Sequence, residues 1–270
     1  MIPLIELKNG IKIPQLGFGT WELTGEECKT ALTNALDLGY THIDTADFYG
    51  NHHVISQVIK NYDRSKLFIT TKVWRDYLRY DDVLEACDRF LKELQTDYID
   101  LLLIHWPNKN IPISETLKAM ELLYTERKIR SVGVSNFTVN HLKDALKVTN
   151  IPITINQVEF HPMLYQKKLL KFCIDNKIKL TAYSPLGRGK VFDNLIIQKI
   201  ADKYNKTPAQ ISLRWMIQKG IIVIPKASTF KHIKQNMEIF DFKIEKEDRL
   251  ELNNLEQKRL IDPGISEFDY

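Results

Sequence analysis

Eight short apolar runs alternate with eight amphipathic stretches along these 270 residues, and that alternation restricts the fold more than any other feature. The runs span 15–19, 41–45, 67–73, 99–106, 131–135, 154–159, 180–184 and 221–225. They are rich in Ile, Leu, Val and Thr, as strands buried on both faces are. Helical patterns fall at 25–38, 52–61, 80–94, 113–127, 139–148, 166–176, 195–219 (interrupted near Thr207-Pro208) and 230–240. Alternating βα units imply a parallel sheet. Eight of them in about 250 residues predict an α/β fold, a closed (β/α)8 TIM barrel. The rival, an open doubly wound sheet, needs G-x-G-x-x-G after its first strand. Gly17-Phe18-Gly19-Thr20-Trp21-Glu22 breaks that pattern at its last position.

Ahead of the first run, residues 5–8 and 11–13 alternate around Asn9-Gly10, a two-residue turn signal. This predicts an N-terminal hairpin within residues 1–14, of a size to plug the bottom of a barrel. No linker or composition shift divides the chain, so residues 1–270 are expected to form a single barrel domain ending in a tail at 255–270.

Four segments carry the chemistry: H-I-D-T-A-D-F-Y at 42–49, T-T-K-V-W at 70–74, L-L-I-H-W-P at 102–107 and V-S-N-F at 134–137. The first three put Asp44 then Tyr49, Lys72, and His105 at or just past the end of an apolar run. Catalytic residues of α/β barrels collect at that end of the strands. An acid, a phenol, an amine and an imidazole together are equipped to deliver a proton to a carbonyl oxygen.

Bulk properties exclude several classes. With 38 basic and 34 acidic residues the net charge is only +4, too mild and dispersed for a nucleic-acid binder. No apolar stretch approaches the ~20 residues of a membrane helix. Cys28, Cys87 and Cys173 are three widely spaced cysteines, giving neither a disulfide framework nor a metal cluster. Packed, reduced thiols suit the cytosol, and charges come too early in M-I-P-L-I-E-L-K-N-G for a signal peptide. A cytoplasmic monomer acting on a small molecule is expected.

At these residues the chain resembles the aldo-keto reductases. G-Y-T-H-I-D-T-A-D-F-Y-G-N (39–51), Met120 with K-I-R-S-V-G-V-S-N-F (128–137), and I-P-K-A (224–227) resemble the three family signatures. G-F-G-T-W (17–21), T-K-V-W (71–74), N-Q-V-E-F-H-P (156–162), Y-S-P-L-G (183–187) and Q-I-S-L-R-W (210–215) follow in family order. The short loops look most like the compact bacterial-type branch that includes diketogluconate reductases. The resemblance implies reduction of aldehyde or ketone carbonyls by hydride transfer from NADPH, with Tyr49 as proton donor. Lys72 would lower the Tyr49 pKa, Asp44 would hold Lys72 charged, and His105 would position the carbonyl oxygen.

The resemblance also implies a cofactor site. Ser135, Asn136 and Gln157 would bind the nicotinamide carboxamide, and Tyr183 would stack on its ring. Ser184, Leu186 and Gly187 would meet the pyrophosphate, and Lys226 the 2′-phosphate. Thr20, Trp21, Ser228, His232 and Asn236 complete the expected contacts. The family pattern after I-P-K continues with Ser, an Arg six residues after the Lys, then Glu and Asn; here stand Ala227, His232, Gln235 and Asn236. An imidazole, mostly neutral near pH 7, grips phosphate less than a guanidinium does. NADPH is therefore the expected cofactor, with NADH a weaker alternative. His52 stands where the family has Glu. Trp21, Phe48, Trp74 and Trp106 are expected to wall the substrate pocket, left open by a short tail.

Two rival readings remain. A barrel metallohydrolase would use His42-x-Asp44 as ligands but would need others on later strands, where Ser135-Asn136 and Lys226 stand. No metal is expected. A non-catalytic, regulatory NADP-binding barrel would not need the complete tetrad.

Overall fold

A computed structural model describes residues 2–270. The chain opens with an antiparallel hairpin, β1 (Leu4–Glu6) and β2 (Lys12–Pro14). Its turn is one residue longer than Asn9-Gly10 alone implies. Leu7 N–H bonds to Ile11 O at 2.8 Å around Lys8, Asn9 and Gly10, with Gly10 at φ 83°. A three-residue loop ending in a left-handed residue needs glycine at that place.

Eight parallel strands follow: β3 (Phe18–Gly19), β4 (His42–Asp44), β5 (Phe68–Val73), β6 (Leu101–Ile104), β7 (Val132–Ser135), β8 (Ile153–Glu159), β9 (Lys179–Tyr183) and β10 (Ile222–Val223). They pair in chain order from β3 to β10. Leu16 then pairs in parallel with Val223, and Gly17 N–H bonds to Val223 O at 2.9 Å, which closes the ring. This is the expected (β/α)8 barrel with its hairpin. Several strands are shorter than their apolar runs, because only the central residues of each run meet both neighbours.

Helices α1 (Gly25–Asp37), α2 (His52–Ile59), α3 (Tyr80–Leu94), α4 (Ile113–Thr125), α5 (Val139–Val148) and α6 (Lys167–Asp175) sit between the strands. The long pattern at 195–219 is two helices, α7 (Leu195–Tyr204) and α8 (Pro208–Ile217). Asn205 turns left-handed at φ 51°, Thr207 caps the second helix and Pro208 opens it. Helix α9 (Phe230–Met237) precedes α10 (Lys246–Asn253), a helix beyond the eight helical patterns of the sequence. Its segment is mostly charged and buries little beyond Asp248 and Leu252.

Strand periodicity sorts side chains between two cores. On β5, Ile69 and Val73 face the helices, within the large cluster that fills the space outside the barrel. Phe68 faces inward and joins Leu101, Leu103, Ile155 and Ile222, sealed from below by Leu7 and Ile13 of the hairpin segment. The same parity sends Thr70 and Lys72 inward. Gly17 leaves room for the inward His42 ring, since a Cβ there would lie 2.4 Å from Nδ1.

Candidate active site

The inward parity that seats Phe68 low in the barrel carries Lys72 to its upper mouth, fully buried. Its ammonium donates to Asp44 Oδ1 at 2.5 Å, to Thr45 O at 2.8 Å and to the Tyr49 hydroxyl at 3.4 Å. Asp44 ends β4 and spends its other oxygen on Gln157 Nε2 at 2.6 Å. Tyr49 rides on a short 3-10 turn, Asp47–Tyr49. His105 directly follows β6, its ring edge-to-face with Tyr49 at 5.9 Å between centroids. The four predicted catalytic residues thus meet at one point.

The turn bearing Tyr49 is tied down from several sides. Asn51 accepts from Thr45 Oγ1 at 2.7 Å and donates to Thr20 O and Leu23 O, each at 3.1 Å. Arg89 of α3 grips Asp47 with both terminal nitrogens, at 2.8 and 3.0 Å. His52 lies outside the barrel wall, its Nδ1 2.9 Å from Glu93 and its Nε2 2.9 Å from Thr71 Oγ1. It braces α2 against α3 and β5. His42, the residue a metallohydrolase would use, sits below Asp44 with Nε2 3.1 Å from Thr70 Oγ1.

The electrostatics correct one expectation. Burial, and then the Asp44 carboxylate, push the Tyr49 phenol well above its ordinary value of 10. Desolvation, with Asp44, outweighs whatever the Lys72 ammonium contributes in the lowering direction. Burial also draws the Lys72 pKa down, with Asp44 opposing. His105 is held well below 6.5 by burial and by the Lys72 charge, so its imidazole is neutral. Near pH 7 the site therefore presents a neutral phenol and a neutral imidazole, and the three oxygens around Lys72 Nζ suit an ammonium.

A cleft of about 800 Å³ opens over this point. Trp21, Phe48, Trp74 and Trp106 all line it, with Phe48 stacked between Trp21 (5.8 Å) and Trp74 (4.2 Å). Thr20, Asn136, Gln157, Tyr183, Ser184, Leu186 and Lys226 line it as well. Asn136, left-handed at φ 63°, donates to His105 O at 3.0 Å and accepts from the Tyr183 hydroxyl at 2.7 Å. Ser135 donates to Gln157 O at 2.8 Å. Ser184 and Gly187 also take positive φ, at 45° and 53°.

Beyond Lys226 the predicted contacts scatter. Ser228 and His232 are exposed at the start of α9, where Thr229 caps the helix by accepting from His232 N–H at 3.3 Å. Asn236 is buried on the same helix. None of these three lines the cleft. The tail supplies a wall that its brevity did not suggest: Leu260, Ile261, Asp262 and Pro263 line the cleft. Sequence reasoning also missed Glu159, which anchors that tail; its signal was the alternation of β8, which carries residue 159 inward like Gln157.

Comparison with known proteins agrees with this geometry. A glyoxal reductase of Bacillus subtilis (strain 168) is 41% identical over 267 residues, covering 98% of this chain and 96% of the relative. The crystal structure of a putative 2,5-diketo-D-gluconic acid reductase B superposes with a TM-score of 0.95 at 36% identity, covering 98% of this chain and 96% of that one. An aldo-keto reductase crystallised with NADPH superposes with a TM-score of 0.93 at 34% identity, covering 98% and 91%. Residues 15–257 match the Aldo/keto reductase family, and the chain belongs to that family.

Proposed function

We propose that this protein reduces small aldehydes, 2-oxoaldehydes and sugar-derived ketones to alcohols with NADPH, Tyr49 donating the proton. The observation that carries the reading is the Lys72 ammonium bridging Asp44 and the Tyr49 hydroxyl, with a neutral His105 across from them, at the floor of an aromatic cleft.

The residues present fit the cofactor. Amide side chains at Asn136 and Gln157 line the cleft beside the tetrad, bonded to His105 O and Asp44, and the Lys226 ammonium lines it too. Ser135, Asn136 and Gln157 would hold the carboxamide, Tyr183 the ring face, Ser184 to Gly187 the pyrophosphate, and Lys226 the 2′-phosphate. When bound, NADPH supplies the hydride, which no side chain can. His105 and Tyr49 hold the substrate oxygen through hydrogen bonds. As charge develops on that oxygen, Tyr49 gives up its proton to it. The raised pKa keeps the phenol protonated until that moment, and the Lys72 ammonium stabilises the phenolate left behind. Asp44 and Gln157 keep the ammonium aimed. The apolar walls exclude water and bind the carbon chain.

Cofactor preference is read as NADPH over NADH, with Lys226 as the main discriminating charge. The chain is read as one domain working as a cytoplasmic monomer. No helix among the described residues is long and apolar enough to cross a membrane, and its three cysteines are buried and free, as a reducing compartment favours. Light scattering at 31.6 kDa checks the monomer.

The test is turnover of an aldehyde and sugar-ketone panel with NADPH and NADH. Tyr49→Phe keeps the ring and removes one hydroxyl, so reduction falls by about 10²–10⁴-fold while NADPH affinity holds. Activity within a few-fold of wild type would refute Tyr49 as the proton donor.

A further inference from the structure

Glu159 is the last residue of β8, two places beyond Gln157 and on the same inward face. Its side chain is fully buried. A carboxylate so placed has to be surrounded by donors. It is: Oε1 accepts from the Leu260 N–H at 2.9 Å and lies 3.0 Å from His161 Nε2. Oε2 accepts from the Ile261 N–H at 3.0 Å, with Arg259 Nη1 at 3.7 Å. Two successive main-chain amides aimed at one anion fix the backbone between them. Nearby bonds support the same stretch. Lys258 N–H donates to Met163 O at 2.7 Å, and Arg259 Nη2 to Gln166 Oε1 at 3.3 Å.

The two residues whose amides are held, Leu260 and Ile261, both line the cleft. Further on, Glu267 accepts from Lys109 N–H at 2.9 Å and Phe268 packs on Trp106 at 5.7 Å. The tail is therefore fastened on both sides of its cleft-lining stretch. In the inner fastening, both amides of the cleft-lining pair are held by one barrel residue, Glu159, which does not itself line the cleft.

We propose that Glu159 is a positioning residue for substrate specificity: its carboxylate holds the Leu260–Ile261 backbone in place as the wall that presses short carbonyl substrates toward Tyr49 and His105. This rests on the reading of the cleft as a carbonyl-reductase site. A short substrate has little surface of its own and depends on every wall. A bulky aryl aldehyde gains enough from the tryptophans to depend less on the tail.

The experiment starts with the wild-type protein and NADPH. Failure to reduce methylglyoxal overturns the reductase reading itself. Hydrogen exchange still reads the hook in that case: the amides of 260 and 261 exchange at least about tenfold slower than the amide of the exposed Asp262. Equal rates overturn the hook. Glu159→Gln keeps the shape but turns an NH2 toward one donor. The KM for methylglyoxal then rises about tenfold or more, since bonds to charged groups are the stronger ones. With the tetrad untouched, kcat stays within about threefold, and the KM for 4-nitrobenzaldehyde moves less than about threefold. Ile261→Ala removes the wall but leaves the amide. Alone it raises the methylglyoxal KM; on top of Glu159→Gln it adds nothing, because both act through one wall. Additive effects, or a fall in kcat with KM unmoved, mean that Glu159 only stabilises the barrel and overturn the proposal. Should Glu159→Gln not fold, Leu260→Pro deletes one of the two amide donors from the tail side and is expected to give the same selective rise in KM.

Discussion

Lys72 has every proton of its ammonium assigned, to Asp44, Thr45 and Tyr49, and no solvent contact. Lys72→Met removes that charge and leaves the buried Asp44 carboxylate with Gln157 as its remaining side-chain partner. Breaking a buried pair by deleting one partner costs about 3–5 kcal/mol, and under the proposed mechanism a phenolate at Tyr49 would lose its stabilising cation. Melting temperature and turnover should therefore fall together. A variant that melts and turns over like wild type would remove Lys72 from the network. The four tetrad members were legible in the sequence because each is a titratable residue at or beyond the end of an apolar run. The Gln157–Asp44 bond was not, since it joins residues 113 apart on strands β8 and β4. Nor was the direction of the Tyr49 pKa, which depends on how completely the site is desolvated.

Among elements, the barrel strands and most helices were legible because each carries its own period, two or 3.6. What escaped lacked such a period. Helix α10 is a charged segment that packs through few residues, and the true loop of the hairpin depends on how Leu7 and Ile11 pair. Helix α9 bears on the proposed cofactor preference. Its N-terminus follows Lys226, the one charge of this region that lines the cleft, while His232 stands exposed on its first turn. An arginine there would reach out with a planar, permanently charged fork suited to phosphate. His232→Arg is expected to raise the preference for NADPH over NADH about tenfold, mainly through NADPH affinity. Dissociation constants for both cofactors, measured before and after the substitution, decide it; an unchanged ratio places His232 away from the 2′-phosphate. Helix α3 has a different task, holding the Tyr49 turn through Arg89 and bracing His52 through Glu93.

The whole molecule carries a pH dependence set by its buried and half-buried histidines. Burial pushes His42 down from 6.5 to about 4, with the Asp44 charge opposing and the Lys72 charge adding to the fall. His105 lies well below 6.5, through burial and then Lys72. His52 and His141 are lowered by burial against the pull of Glu93 and Glu267. In the folded protein these rings stay neutral where the unfolded chain would already bind protons. The unfolded state then holds more protons, so stability rises with pH across that interval. It is complete above the unfolded value of 6.5 and is lost as the solution is acidified toward the folded values, for His42 between 6.5 and about 4. The His42 displacement alone corresponds to about 3 kcal/mol over that window. The inside of the barrel leaves it little freedom to adapt, since the ring abuts Gly17 and bonds to Thr70. His42→Gln keeps a hydrogen-bonding group but cannot titrate there. Denaturant unfolding of both proteins from pH 7.5 down to pH 4 should show the wild type losing about 3 kcal/mol more than the variant. Parallel pH profiles would mean that the His42 ring is already protonated inside the barrel, and that Asp44 rather than desolvation governs it.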